Sequence, residues 1–267
     1  MITVSNLMQL DGRVAIVTGA AGHLGSHICE TLAELGAHVV LVDKNESGCT
    51  ELAERIKARF DTEPLQLITD LAHEADVRRV PERVLSHFDS IDILVHCAAL
   101  VGTSDLEGWI TPFSEQSADT WRLALEINLT VPFILTQVCS EPLKATVHGS
   151  VINIGSIYGI VGPDLRLYEQ TNMGNPAAYA ASKGGLMQLT RWMATVMAPH
   201  VRVNAISLGG VWNNQPEPFY SQYVSRTPLG RMAAEQDIKG AVAYLASDLS
   251  AYVTGQNLII DGGYTVW

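Results

Sequence analysis

Seven short runs of apolar, largely β-branched residues recur along the chain, and stretches of helical periodicity separate most of them. RVAIVTG (13–19), AHVVLVD (37–43), PLQLITD (64–70), IDILVHC (91–97), SVINIGS (150–156), VRVNAIS (201–207) and NLIID (257–261) are apolar on both faces. A strand of that kind must be covered on both sides. Between most of the runs lie segments with apolar residues at a 3.6-residue period, about 24–35, 46–59, 74–88, 115–143, 177–198 and 235–247. Parallel strands need crossovers of a dozen or more residues, and such crossovers are right-handed. The expectation is an α/β chain with one doubly wound, seven-stranded parallel sheet and helices on both faces.

No linker divides the chain, so 1–267 is read as one domain. The segments richest in Gly, Pro and polar residues, about 99–114, 159–177 and 208–230, each follow a strand. They fall where an open parallel sheet has its binding crevice, and they are read as substrate loops against the alternative of ordinary loop variation. A formal charge of −11 without a Lys/Arg cluster argues against a nucleic-acid partner. No apolar run approaches the roughly 18 residues of a membrane span, and MITVSNLMQLDGR lacks the pattern of a secretory signal. Cys29, Cys49, Cys97 and Cys139 are scattered, without the close pairs of zinc or redox motifs. Buried free thiols and a cytoplasmic location are expected.

The first run leads into TGAAGHLG (18–25), with Gly19, Gly22 and Gly25 three apart and a helix following. Glycines there permit a tight turn and a close approach of backbone to a diphosphate at a positively polarised helix N-terminus. Asp43 ends the second run about 20 residues later, where a carboxylate accepts from adenosine ribose hydroxyls and repels a 2′-phosphate. NAD is therefore expected over NADP, with Lys44 pulling the other way. Asp70, ending the third run, either accepts from the adenine amino group or caps the next helix.

YAASK (179–183) sets a tyrosine and a lysine one helical turn apart. Alone, such a pair is an amphipathic face with its ammonium in water. Its setting changes that. On TGAAGHLG, Asp70–Leu71, LVHCAA (94–99), the Asn in INLT (127–130), INIGS (152–156), YAASK, RVNAIS (202–207), PLGRM (228–232) and TGQNLIIDGG (254–263), the chain resembles the short-chain dehydrogenases/reductases over nearly its whole length.

The resemblance implies a Rossmann fold and an NAD(P)-dependent oxidoreductase acting on CH–OH groups. It implies a catalytic tetrad at Asn128, Ser156, Tyr179 and Lys183. Tyr179 is the acid/base, its phenol lowered from about 10 by the ammonium and the positive nicotinamide ring. Lys183 also holds the nicotinamide ribose, Ser156 donates to the substrate oxygen, and Asn128 holds a relay water. The cofactor residues it implies are Gly19, Gly22, His23, Leu24, Gly25, Asp43, Asp70, Leu71, Cys97, Ala98, Ala99, Tyr179, Lys183, Gly209 and Val211. Helices 115–143 and 177–198 are implied to pair subunits into a homodimer or homotetramer, and Trp267 to reach a neighbour's active site.

Three departures from the family pattern fall on the cofactor side. His23 replaces a glycine, LVHCAA replaces LVNNAG, and Leu208 replaces a proline. His23 and His96 are read as packed residues and no metal is expected, for want of a second ligand at useful spacing.

Ser156 and Tyr179 lie 23 positions apart, more than is usual in the family, so GPDLRLYEQTNMGNP (162–176) reads as an insertion beside the chemistry. Its Asp164, Arg166, Tyr168, Glu169, Gln170 and Asn172, with Trp212, Asn213, Asn214, Gln215 and Tyr220 of VWNNQPEPFY, suit a sugar or another polyhydroxylated small molecule. The expected substrate contacts are Ser156, Tyr168, Tyr179, Trp212 and Asn213. A weaker resemblance is to flagellin or surface-glycan modification dehydrogenases. Two other readings stand beside this one: an acyl-thioester reductase of the same family, and a non-catalytic NAD-sensing scaffold.

Overall fold

Residues alternate faces along a strand, so each apolar run feeds two separate cores. In the computed structural model, which describes residues 1–267 except Asp61 and Thr103, Ala15 and Val17 of β1 (Val14–Thr18) enter one core and Val14 and Ile16 the other. β2 (His38–Asp43) divides likewise, with Val39 and Leu41 against Val40 and Val42. The remaining strands are β3 (Leu65–Ile68), β4 (Ile93–His96), β5 (Ser150–Ser156), β6 (Arg202–Leu208) and β7 (Asn257–Ile260). Among the described residues they form one parallel sheet in the order β3-β2-β1-β4-β5-β6-β7. The seven expected strands are all present in a single-domain Rossmann-type fold, each within its expected run except β6, which reaches Leu208.

The helices are α1 (Val4–Met8), α2 (His23–Glu34), α3 (Glu46–Phe60), α4 (Glu74–Leu85), α5 (Ala118–Leu125), α6 (Val131–Val138), α7 (Ser140–Ala145), α8 (Ala177–Met197), α9 (Glu217–Ser225) and α10 (Gln236–Ala246). One core packs α2, α3 and α10 on the sheet and the other packs α4, α6 and α8. The single helix expected over 115–143 is instead α5, a π turn at Glu126–Thr130, α6 and α7. α9 lies inside the expected loop 208–230. Thr103, inside the expected loop 99–114, is outside the described residues.

The strand order reverses between β1 and β4, so the loops leaving these two strands open the crevice at their carboxyl ends. Thr18 closes its floor by accepting from the amides of Cys97 (3.1 Å) and Ala98 (3.3 Å). No helix of the described residues is long and apolar enough to cross a membrane.

Candidate active site

β5 delivers Ser156 to the crevice and α8, starting directly after Pro176, delivers Tyr179 and Lys183 on one face. Lys183 is buried, and its Nζ donates to the Ile154 carbonyl at 2.8 Å. The same ammonium lies 5.8 Å from the centre of the Tyr179 ring. Ser156 lies close enough to Tyr179 to draw its phenol down, and its Oγ accepts from the Tyr158 amide at 3.2 Å. Three of the four expected catalytic residues therefore meet at one point.

Burial brings the Lys183 ammonium down from 10.5 to about 8, with Cys97 acting in the opposite sense. Burial also pushes the Tyr179 phenol above its ordinary value, against the downward pull of Ser156, and Tyr168 adds to the rise. The expected lowering joined the ammonium to the positive nicotinamide ring; without that ring, burial governs the phenol. In the free protein desolvation outweighs the attraction.

Asn128 sits fully buried in the π turn. Its Oδ1 accepts from the Leu100 amide at 2.8 Å, and its Nδ2 donates to the Leu100 carbonyl (3.0 Å) and to Ser182 Oγ (3.0 Å). The side chain clamps the segment after β4 to α8 next to Lys183. Both Nδ2 donors and one lone pair of Oδ1 are thereby spent on protein.

The glycine loop fits a diphosphate. Gly19 has φ +66°, and a Cβ there would lie 2.7 Å from Ala98 Cα. A Cβ on Gly25 would lie 1.9 Å from the Gly19 carbonyl oxygen, so any side chain would force the turn open. Gly22 caps α2 without a side-chain hydrogen bond, which leaves the first amides of the helix for an anion. Asp43 closes the loop from below, accepting from the amides of Ala21 (3.1 Å) and Asn45 (3.0 Å).

Other expected cofactor contacts divide by side chain. Leu24 and Leu71 turn into the two cores, so only their backbones face the crevice side. Asp70 accepts from the Ala72 amide at 3.0 Å, a turn before α4, whose own cap is His73. Cys97, Ala98 and Ala99 are half-buried along the loop after β4. A Cβ on Gly209 would lie 2.7 Å from Tyr223 Oη, and Val211 pairs with Ala233 in a short parallel bridge.

On the substrate side the insertion and α9 form a small core of Leu167, Phe219, Tyr223 and Met232. It holds Tyr168 so that its hydroxyl donates to Tyr158 Oη at 3.0 Å. Asn175 hydrogen-bonds Tyr168, and its Oδ1 is buried without a partner. Tyr158 and Asn175 were not singled out from sequence; Tyr158 lies only two residues after Ser156, which was the available signal. Trp212 and Asn213 are exposed, Trp212 edge-on to Tyr220 at 4.9 Å. Arg166 and Arg226 both pair with Asp164, at 2.8 and 3.0 Å. Trp267 donates to the Arg226 carbonyl of its own chain at 3.0 Å.

A family model described as enoyl-(acyl carrier protein) reductase matches residues 19–265. A solved short-chain type dehydrogenase/reductase from Mycobacterium marinum superposes with a TM-score of 0.86 at 26% identity, covering 99% of both chains. The chain belongs to the short-chain dehydrogenase/reductase family. The cis-4-hydroxycyclohexanecarboxylate dehydrogenase of Sinomonas cyclohexanicum is 33% identical over 258 residues, covering 95% of this chain and 96% of the relative. A gluconate 5-dehydrogenase from Burkholderia cenocepacia J2315, solved with NADP and tartrate, has a TM-score of 0.87 at 28% identity over 99% and 100% of the two chains. As a short-chain dehydrogenase/reductase, the protein is an oxidoreductase that acts on CH–OH groups with NAD(P).

Two histidines stand where the sequence departs from the family pattern. His96 is buried in β4 with Nε2 2.9 Å from Thr136 Oγ1, and burial lowers it from 6.5 to about 3, so the ring is neutral. His23 is not isolated, which corrects the sequence argument against a second ligand-type neighbour. His27 follows one turn later on α2, and Glu235 faces both.

Proposed function

We propose that this enzyme carries out the NAD-linked oxidation of a secondary alcohol, and the reverse ketone reduction, on a polar polyhydroxylated substrate of sugar type. The observation that carries the reading is the polar wall beside Tyr179: the joined hydroxyls of Tyr158 and Tyr168, with the unpartnered Asn175 Oδ1. A buried acceptor left unpaired costs about 1–3 kcal/mol, which a substrate hydroxyl recovers and an acyl chain does not. A relative named for gluconate supports the polyhydroxylated class, and one named for a hydroxycyclohexanecarboxylate supports a secondary alcohol. A charge of −11 disfavours an acidic acyl carrier as partner, and the contact of Ser156, Tyr179 and Lys183 disfavours a non-catalytic scaffold.

In oxidation the substrate hydroxyl lies against Ser156 and Tyr179. Ser156 donates to its oxygen, and Tyr179 takes its proton as the carbonyl forms. NAD, held by the glycine loop and Asp43, would supply the hydride acceptor facing the carbinol carbon and a positive ring that favours the phenolate. The Lys183 ammonium, held by the Ile154 carbonyl, adds charge on the same side and holds the nicotinamide ribose. Asn128 keeps α8 and the segment after β4 in register. In reduction Tyr179 gives the proton back. Trp212 and Asn213 contact the substrate from the 208–230 segment.

Absorbance of reduced nicotinamide, followed with NAD and NADP against polyols, sugars, cyclic hydroxy acids and a 3-oxoacyl thioester, tests the reading. Turnover on the hydroxylated panels is expected, with Asn175→Ala raising KM about tenfold at little cost in kcat. Activity confined to the thioester removes it. The proposal includes assembly into a homodimer or homotetramer through exposed apolar residues of α5, α6 and α8, among them Trp121, Phe133 and Trp192; light scattering reads the mass.

A further inference from the structure

We propose that His23, His27 and Glu235 bind one divalent transition-metal ion of the zinc type, joining the start of α2 to the start of α10. The two histidines are four residues apart in the first turns of α2, hence on one face. α2 packs against α10, which brings Glu235, the residue just before α10, onto that face. One ligand atom from each of the three lies within 4.8 Å of the others.

His23 Nε2 stands 3.3 Å from Glu235 Oε1, yet this buried nitrogen has no hydrogen-bond partner, because the carboxylate lies off the direction a ring N–H requires. Two ligands each about 2.1 Å from an ion at a tetrahedral angle are about 3.4 Å apart. That edge of the site is therefore already at coordination spacing. The two imidazoles meet edge to face, with centroids 5.9 Å apart and planes at 83°, so small ring rotations bring the His27 nitrogen in.

The surroundings favour occupancy. Glu30 Oε2 lies 3.8 Å from His27 Nδ1 and is held in place by Arg55 (3.2 Å, to Oε1) and Arg59 (3.6 Å). A carboxylate behind a histidine is the outer-shell arrangement that orients metal-binding rings. Leu24, Ile28, Ile238 and Val242 line the crevice beneath. Lys239, beside the same group, is paired with Glu34 at 2.7 Å. Two imidazoles and one carboxylate suit zinc, cobalt or nickel better than magnesium or calcium, and three protein ligands leave a position for water. The ion clips the helix that follows the glycine loop to the start of α10. Its binding stabilises the folded chain by mass action.

The test uses the full-length, metal-free protein without cofactor. Titration with Zn²⁺ by calorimetry and with Co²⁺ by visible absorption is expected to show one ion per chain. The cobalt spectrum should have d–d bands and no thiolate charge-transfer band, and Tm should rise by a few degrees. His27→Ala and Glu235→Gln should each weaken binding about tenfold or more, whereas exposed His200→Ala should not. Circular dichroism in chelator confirms that the variants are folded, and Glu235→Gln, nearly isosteric, serves if His27→Ala is not. Absence of saturable binding, equal affinity in the folded variants, or a thiolate band in the cobalt spectrum overturns the proposal.

Discussion

Lys183 stands 5.8 Å from the centre of the Tyr179 ring while its ammonium is tied to the Ile154 carbonyl at 2.8 Å. The cation is thus fixed to the sheet and presented to the phenol without forming an ion pair with it. Tyr179→Phe removes the proton carrier and leaves this arrangement intact. We expect kcat to fall by about 10²–10⁴-fold, with cofactor affinity, read by quenching of protein fluorescence, within about twofold of the unaltered chain. Full activity in the variant would exclude Tyr179 as the acid/base.

Ser156 is the one neighbour that draws the Tyr179 phenol down, against burial and Tyr168, which push it up. Oxidation needs the phenolate, so kcat/KM for oxidation by the free enzyme should climb with pH through the alkaline range. Ser156→Ala deletes the downward influence. Beyond a loss in kcat of about 10²–10³-fold, the rising limb of its pH profile should move to higher pH. A limb that stays in place, or moves down, contradicts a downward influence of Ser156 on the phenol.

The sheet was legible because runs such as VAIVT and HVVLVD are apolar on both faces, a pattern that only a strand covered on both sides satisfies. The break in 115–143 was not, because the π turn at Glu126–Thr130 is a single-residue offset within a segment whose apolar residues are dense enough to read as one helix. α9 was hidden by Pro216 and Pro218, which read as loop residues but are tolerated at a helix start. At the site, spacing in sequence could bring Tyr179 and Lys183 together. The pairing of Tyr158 with Tyr168 depends on how the insertion folds back, and no local pattern encodes that. Asn128 was found by its motif, but its partner Leu100 is 28 residues away.

Asp43 offers a carboxylate at the end of β2 that is already shared between the amides of Ala21 and Asn45. Its negative charge disfavours a 2′-phosphate at the same edge. Asp43→Asn keeps an acceptor and removes the charge, so the ratio of kcat/KM for NAD over NADP should fall on the order of tenfold, about 1.4 kcal/mol. An unchanged ratio, from parallel assays with both cofactors, would show that cofactor choice is made elsewhere.

His96 carries a cost that appears only in acid. Burial lowers it from 6.5 to about 3, with one nitrogen on Thr136 and Nδ1 buried without a partner. Between those values the unfolded chain takes a proton that the fold refuses. The unfolded state then binds more protons, so stability falls as pH drops below about 6.5, by up to about 1.4 kcal/mol per pH unit. Above about 6.5 this effect vanishes. Asn at this position cannot titrate and can still reach Thr136. In urea unfolding at pH 7.5 and pH 5, His96→Asn should therefore lose less stability on acidification than the unaltered chain, by about 1–2 kcal/mol. Equal losses in the two proteins would mean that the buried imidazole accepts its proton without unfolding and that β4 has room for the charge.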